Sequence, residues 1–188
     1  MKYFLRMLKV WLRSRREGAL SVGEVCRTPL RVNLGDLDIY RHVNNGTYLT
    51  IADLGRFEWM LRTGLWRRFG KRGWYPVVAA QTTTYRKSLE WNQHFILETR
   101  LLGLDLRDFY LEHRFVANNE IYARIYIRAR IISRKGRVNM EDVERAVPEL
   151  QELPHRVPEW IDVWHEATRL PSTRQDAPSV WDDEGFTR

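Results

Sequence analysis

Cysteine is nearly absent: Cys26 stands alone in 188 residues. The chain cannot close a disulfide within itself or build a cysteine-based metal cluster, which excludes a disulfide-stapled scaffold. A reducing compartment, the cytoplasm, is the expectation that follows. Long apolar runs are missing too. No stretch reaches the roughly 18 residues that span a bilayer, so a soluble protein, or one peripheral to a membrane, is expected. Acidic residues are missing from residues 1–16, which carry six basic ones: Lys2, Arg6, Lys9, Arg13, Arg15 and Arg16. There is no internal repeat, and nothing in the composition calls for a metal or a cofactor.

What is present is globular in kind. Hydrophobic residues at 44% and charged residues at 29% lie in the range of packed proteins, and the length suits one domain with a single core. The net charge of +7 invites a nucleic-acid reading, but the charge is segregated along the chain. Six cations sit in residues 1–16, whereas residues 141–188 hold twelve acidic and five basic residues. Arginines and tyrosines alternate over 122–130, as a stacking platform for bases would require, yet a strand period accounts for that alternation. Nucleic acid is not expected as a partner.

Along "MKYFLRMLKVWLRSRR" the basic residues at 2, 6, 9, 13 and 16 recur at intervals of four and three, one stripe of a helix. The other face is apolar: Phe4, Leu5, Leu8, Trp11 and Leu12. Cations interleave through the whole segment, unlike a secretory signal. Two uses compete for this amphipathic helix: lying on an anionic membrane with its cations toward the head groups, or packing its apolar face on the domain or a partner subunit.

Residues 24–34, with Pro29, read as an edge strand. The loop "GDLDIYRHVNNG" leads into 47–63, where apolar residues at helical spacing cover almost the whole circumference, so a deeply buried helix is expected. Gly64 and the stretch Gly70 to Gly73 read as helix stop and loop, with Arg67, Arg68, Lys71 and Arg72 between them. The period then changes. Runs at 77–89, 94–104, 108–118 and 121–132 are β-branched or aromatic, and in the last Ile121, Ala123, Ile125, Ile127, Ala129 and Ile131 share one face. Asn118-Asn119 predicts a tight hairpin between the last two. Beyond 140 two short helices end before Pro148 and Pro171, followed by a loose polar tail. The expected organisation is a basic helix over 1–20, one α+β domain over 21–140 with a long curved antiparallel sheet wrapped around a central helix, and a helical extension with its tail over 141–188.

Strand, aspartate-bearing loop, buried helix and long antiparallel meander together resemble the hotdog fold. More specifically, "GDLDIYRHVNNGTYLTIADLGR" (35–56) resembles the acyl-CoA thioesterases of the 4-hydroxybenzoyl-CoA thioesterase-like group, in the branch with an "HVNN" motif. The resemblance covers about residues 24–135. On the family pattern Asp38 matches the loop aspartate, Tyr48-Leu49 the helix start, and Asp53 with Arg56 a later acidic and basic pair. It implies hydrolysis of an acyl-CoA or related thioester, and a homodimer or dimer of dimers in which Gln81, Thr82 or Thr83 approaches the partner's site. The same superfamily includes hydratases, dehydratases and non-catalytic acyl-CoA or lipid-binding modules, so these stand as alternatives.

Each polar residue of the loop also has its own chemistry. A carboxylate beside a thioester carbonyl can attack it or deprotonate a water, which is the role open to Asp38. The alternative is an Asx turn. Asp36 reads as a loop anchor. His42 can assist Asp38 or serve as a structural hydrogen-bonder. Asn44 and Asn45 are helix-cap types. The helix N-terminus offers backbone N–H groups and a positive dipole end to a developing oxyanion, and Gly46 lets a substrate approach closely. Asp38, His42, Asn45 and Gly46 are the catalytic candidates. Tyr48, Asp53, Arg56, Gln81, Thr82 and Thr83 are the substrate-binding ones, Asp53 and Arg56 reading equally as an ion pair. Glu58 is expected at the surface or paired with Arg62.

Overall fold

The structure, a computed structural model, describes residues 2–153, 157–171 and 175–179. Most of the loose tail expected from Ser172 onward lies outside them. Two compact units are formed, Met1–Val157 and Pro158–Arg188. In the second, the short helix α5 (Glu159–Ala167) is the one regular element among the described residues.

Five long strands make the sheet of the first unit: β1 (Cys26–Arg31), β2 (Trp74–Tyr85), β3 (His94–Leu104), β4 (Phe109–Ala117) and β5 (Glu120–Ser133). They lie in the order β1-β3-β4-β5-β2, antiparallel throughout, and the two-residue β6 (Gly136–Arg137) folds back to pair with the end of β5. The hotdog arrangement expected from the residue pattern is the one observed. Because β-strand side chains alternate, one face collects Leu97 and Thr99 of β3, Leu111, His113 and Phe115 of β4, and Ala123, Ile125 and Ile127 of β5, all buried. The central helix α2 (Asn45–Arg62) lies on that face with Tyr48, Ile51, Ala52, Leu54, Gly55 and Trp59 buried. Asn118 and Asn119 both take positive φ, 50° and 59°, the turn that lets β4 and β5 pair without splaying.

At Gly55 the helix lies close against the sheet. A Cβ there would overlap Thr99 Oγ1 and come within 2.6 Å of Leu97 Cδ2, a side chain with no exposure. Gly55→Ala is therefore expected to lose about 1–3 kcal/mol of stability by overpacking, although alanine is the better helix former. Urea denaturation measures this directly, and an unchanged or raised midpoint would contradict the contact.

His113 is the buried polar group under this helix. Its Nδ1 shares a hydrogen bond of 2.9 Å with Thr99 Oγ1. Burial, and then the nearby Arg56 guanidinium, hold its pKa well below that of a free histidine. The folded protein keeps the ring neutral while the unfolded chain protonates near pH 6.5, so stability is full above that pH and falls as pH drops below it. One proton corresponds to a slope of about 1.4 kcal/mol per pH unit below pH 6.5. Denaturation at pH 7.5, 6.0 and 5.0 should show this slope, and His113→Gln should flatten it.

The segment read as a loop after Gly64 is not one throughout. Gly64, at φ 73°, does end α2, but Leu65–Gly70 form a further helix, α3. Leu65 and Phe69, four apart, are buried on one side of it, and that pairing outweighs the arginines between them. Of those cations Arg68 holds Glu149 through two hydrogen bonds of 2.8 and 2.7 Å, and Arg72 sits over the Trp74 ring. Glu149 belongs to a 3-10 turn (Pro148–Glu152) that follows helix α4 (Met140–Ala146). The buried residues Val143, Val147 and Leu150 of this region join the core.

The N-terminal helix α1 (Lys2–Ser14) does not pack the apolar stripe of Phe4, Leu5, Leu8 and Leu12 on the domain, as one of its two expected uses required. Two cations of its basic stripe, Arg6 and Arg13, face the domain with the buried Val10 between them, while Lys9 and Arg16 of that stripe stay exposed. Arg6 donates to both carboxylate oxygens of Asp36 (2.9 and 2.5 Å) and to the Arg31 carbonyl, while Arg13 donates through Nε to Glu58 (3.0 Å), pairs with it again through Nη2, and reaches the Pro29 carbonyl. Phe4, Leu5, Leu8 and Leu12 are exposed. The reason is electrostatic: Asp36 and Glu58 are buried carboxylates, and a buried charge is tolerated only with a partner. Glu58 is thus neither at the surface nor chiefly paired with Arg62, whose Nη1 stands 4.0 Å off; Thr28 Oγ1 donates to it at 2.6 Å.

Candidate active site

Between a 3-10 turn (Leu34–Asp36) and the start of α2, residues 37–44 form a loop held at both ends. At the near end Asp36 takes the Asn33 N–H at 2.8 Å besides Arg6, and its carbonyl accepts the Asn44 N–H at 2.9 Å. Val43 N–H donates to the Leu89 carbonyl and Tyr48 Oη accepts the Leu89 N–H, so the far end is fastened to the chain just after β2. Asp36 is the anchor that its position suggested.

Within this frame the Asp38 carboxylate folds back on its own loop. Its Oδ1 accepts the N–H groups of Tyr40 (2.9 Å) and His42 (3.3 Å), and Arg41 takes the left-handed conformation, φ 63°, that closes the turn. Asx turn and catalytic carboxylate are therefore not exclusive. Oδ1 is spent on the turn, while Oδ2 has no partner among the described residues, and the side chain is half-buried. The His42 imidazole is exposed; His42 reaches Asp38 through its backbone, its N–H donating to Oδ1 and its carbonyl accepting the Asp38 N–H at 2.9 Å.

The helix start is equally selective about which donors it leaves open. Asn44 is the cap: its Oδ1 accepts the Gly46 N–H at 2.9 Å and its carbonyl accepts that of Thr47. Gly46 therefore has no spare donor. Asn45, the first helical residue, keeps an N–H with no acceptor among the described residues, seven positions after Asp38 and at the positive end of the α2 dipole. Its carbonyl accepts the Tyr85 hydroxyl at 3.0 Å, which pins the helix start to the end of β2.

The remaining candidates separate into groups. Tyr48 is buried, edge-on to Tyr85 and Phe115 with ring centroids 5.2 and 5.0 Å away, and belongs to the core. Asp53 and Arg56 form the ion pair that was the alternative to a second acidic site residue, and burial pulls the Arg56 guanidinium down to about 10. On β2, Gln81 and Thr83 pair with Ile127 and Ile125 and so share the helix-side face, whereas Thr82 pairs with Tyr126 on the other. That strand ends the sheet and, among the described residues, pairs along one edge alone. Cys26 is fully buried, and burial with the Glu58 charge pushes its thiol up to about 11, so no thiolate nucleophile is on offer.

Residues 32–165 match the thioesterase-like superfamily. The chain belongs to that superfamily. Among curated relatives it is 35% identical to Protein THEM6 of Xenopus laevis over 128 residues, 67% of this chain and 62% of that one, and 30% identical to Protein THEM6 of Drosophila melanogaster over 142 residues, 74% and 71%. It thus spans less than two thirds of the Xenopus relative. Solved structures share the fold at lower identity. The probable thioesterase YbaW of Escherichia coli superposes with a TM-score of 0.61 at 19% identity, covering 66% of this chain and 97% of that one. A gentisyl-coenzyme A thioesterase gives 0.58 at 18%, covering 64% and 99%. The site loop and α2 fall inside the family match, and α1 falls outside it.

Proposed function

We propose that this protein hydrolyses the thioester of an acyl-coenzyme A, and that its site lies between Asp38 and the first turn of α2. The observation that supports this most is the pairing of two uncommitted groups on one anchored loop: Asp38 Oδ2 and the Asn45 backbone N–H. In the reaction Asp38 takes a proton from a water whose oxygen attacks the thioester carbonyl carbon. The carbonyl oxygen becomes an oxyanion that accepts the Asn45 N–H in the field of the helix dipole. The C–S bond then breaks, and the thiolate takes up the proton that Asp38 holds. Direct attack by Asp38 would instead form an acyl-carboxylate anhydride that water opens, with the same net products. A hydratase or dehydratase pairs an acid with a histidine, and the His42 imidazole stands free of Asp38, which favours hydrolysis.

Two copies would complete the site. The unpaired edge of β2 carries Gln81 and Thr83 on the helix-side face, and a second chain pairing there would bring them toward the partner's loop. Release of free thiol from coenzyme A thioesters of increasing acyl length tests the activity. The expected result is thiol and free acid in equal amounts from at least one of them. Tight binding of acyl-CoA without thiol release would make the protein a binding module.

A further inference from the structure

A helix that merely docks buries its apolar stripe. α1 instead turns Arg6, Val10 and Arg13 toward the domain. Arg6 and Arg13 lie two turns apart on the same side, and each is fixed to a buried carboxylate, Asp36 and Glu58. Fixing both fixes the rotation of the helix about its own axis, so the opposite stripe cannot turn inward. That stripe is Phe4, Leu5, Leu8 and Leu12, which are 71%, 52%, 42% and 45% exposed.

We propose that this outward stripe of α1 is a membrane-docking surface that lies in the interfacial layer of an anionic bilayer. The chemistry of the surface selects that occupant. A single helix presents a ridge of large side chains, which sinks among lipid chains. The charge agrees: residues 1–16 contain no acidic residue, and once Arg6 and Arg13 are neutralised from within, Lys9, Arg15 and Arg16 remain exposed. Cations beside an apolar stripe complement anionic head groups. The two buried ion pairs thereby do a second job, holding the helix pre-oriented with its apolar side outward. This inference does not rest on hydrolytic activity.

Removing residues 1–16 is the wrong test, because it also strips Arg13 from Glu58. The right one is the full chain carrying Leu5→Gln, Leu8→Gln and Leu12→Gln together, all at exposed positions, in co-sedimentation with vesicles of phosphatidylcholine alone and with about a third phosphatidylserine. The unmodified chain should pellet with the anionic vesicles and less so at high salt, and the triple variant should lose at least tenfold in partitioning. Equal pelleting by both, or none by the unmodified chain, would overturn the proposal. So would a lipid-free dimer that the triple variant abolishes together with no vesicle binding, since the stripe would then be a contact between copies. As a measurement free of any folding defect, a polarity-sensitive dye on Leu8→Cys, with Cys26 buried and unreactive, should shift to the blue on anionic vesicles. An unshifted spectrum would equally overturn the membrane assignment.

Discussion

Arg13→Ala is expected to lower the unfolding free energy by about 3 kcal/mol, the lower end of the cost of breaking a buried ion pair. The reason lies on α2, where Glu58 has no solvent exposure and its carboxylate takes Arg13 Nε and Nη2 and the Thr28 hydroxyl. With Arg13 gone, Thr28 stays and Arg62 stands 4.0 Å away, which spares part of the loss but leaves a charge in the core under-compensated. Adding Glu58→Gln to Arg13→Ala should recover much of the stability, because the pair is coupled and its two losses do not add. Guanidinium denaturation of the two single variants and the double one measures this. An Arg13→Ala midpoint equal to that of the unmodified chain would show that α1 does not neutralise Glu58.

Asp38→Asn carries the largest expected effect on activity, a loss of about 10²- to 10⁴-fold in kcat, the range for removing a general base. Asparagine is chosen because its amide oxygen can still accept the Tyr40 and His42 N–H groups that now reach Oδ1, so the turn and the thermal midpoint should hold. What it removes is the basicity of Oδ2. His42→Ala, by contrast, should change the rate no more than a few-fold, since the imidazole makes no contact with Asp38 and the residue holds the turn through its backbone.

The sheet and central helix were legible because their signals are local. Period-two alternation over 121–132 and the near-continuous apolar surface of 47–63 are written in consecutive residues, and the structure places both as read. The orientation of α1 was not legible, since a helical wheel shows two faces without saying which is buried. The residues that decide it, Asp36 and Glu58, lie 30 and 45 positions from their arginines. Glu58 was misplaced for the same reason: its partner belongs to another helix and not to the next turn of its own. α3 was missed because its signal is two residues, Leu65 and Phe69, in a stretch dominated by cations and glycine.

In the loop, residue types pointed to the right chemistry, but which atoms remain available depends on hydrogen bonds that the sequence does not display. Asn44 takes the Gly46 N–H that a close backbone approach would have used, and the open donor moves one residue back, to Asn45. Tyr48 had the position of a substrate contact and turns out to be a core ring tied to Leu89. Asp53 had the type of a second acid and is matched to Arg56 one turn on.

The proposed chemistry stands most directly on one comparison: single-turnover thiol release from an acyl-CoA substrate by the unmodified chain and by Asp38→Asn, at matched folding. The expected result is measurable hydrolysis by the first and a rate at least a hundredfold slower in the second. A folded Asp38→Asn protein that releases thiol as fast as the unmodified chain would contradict it.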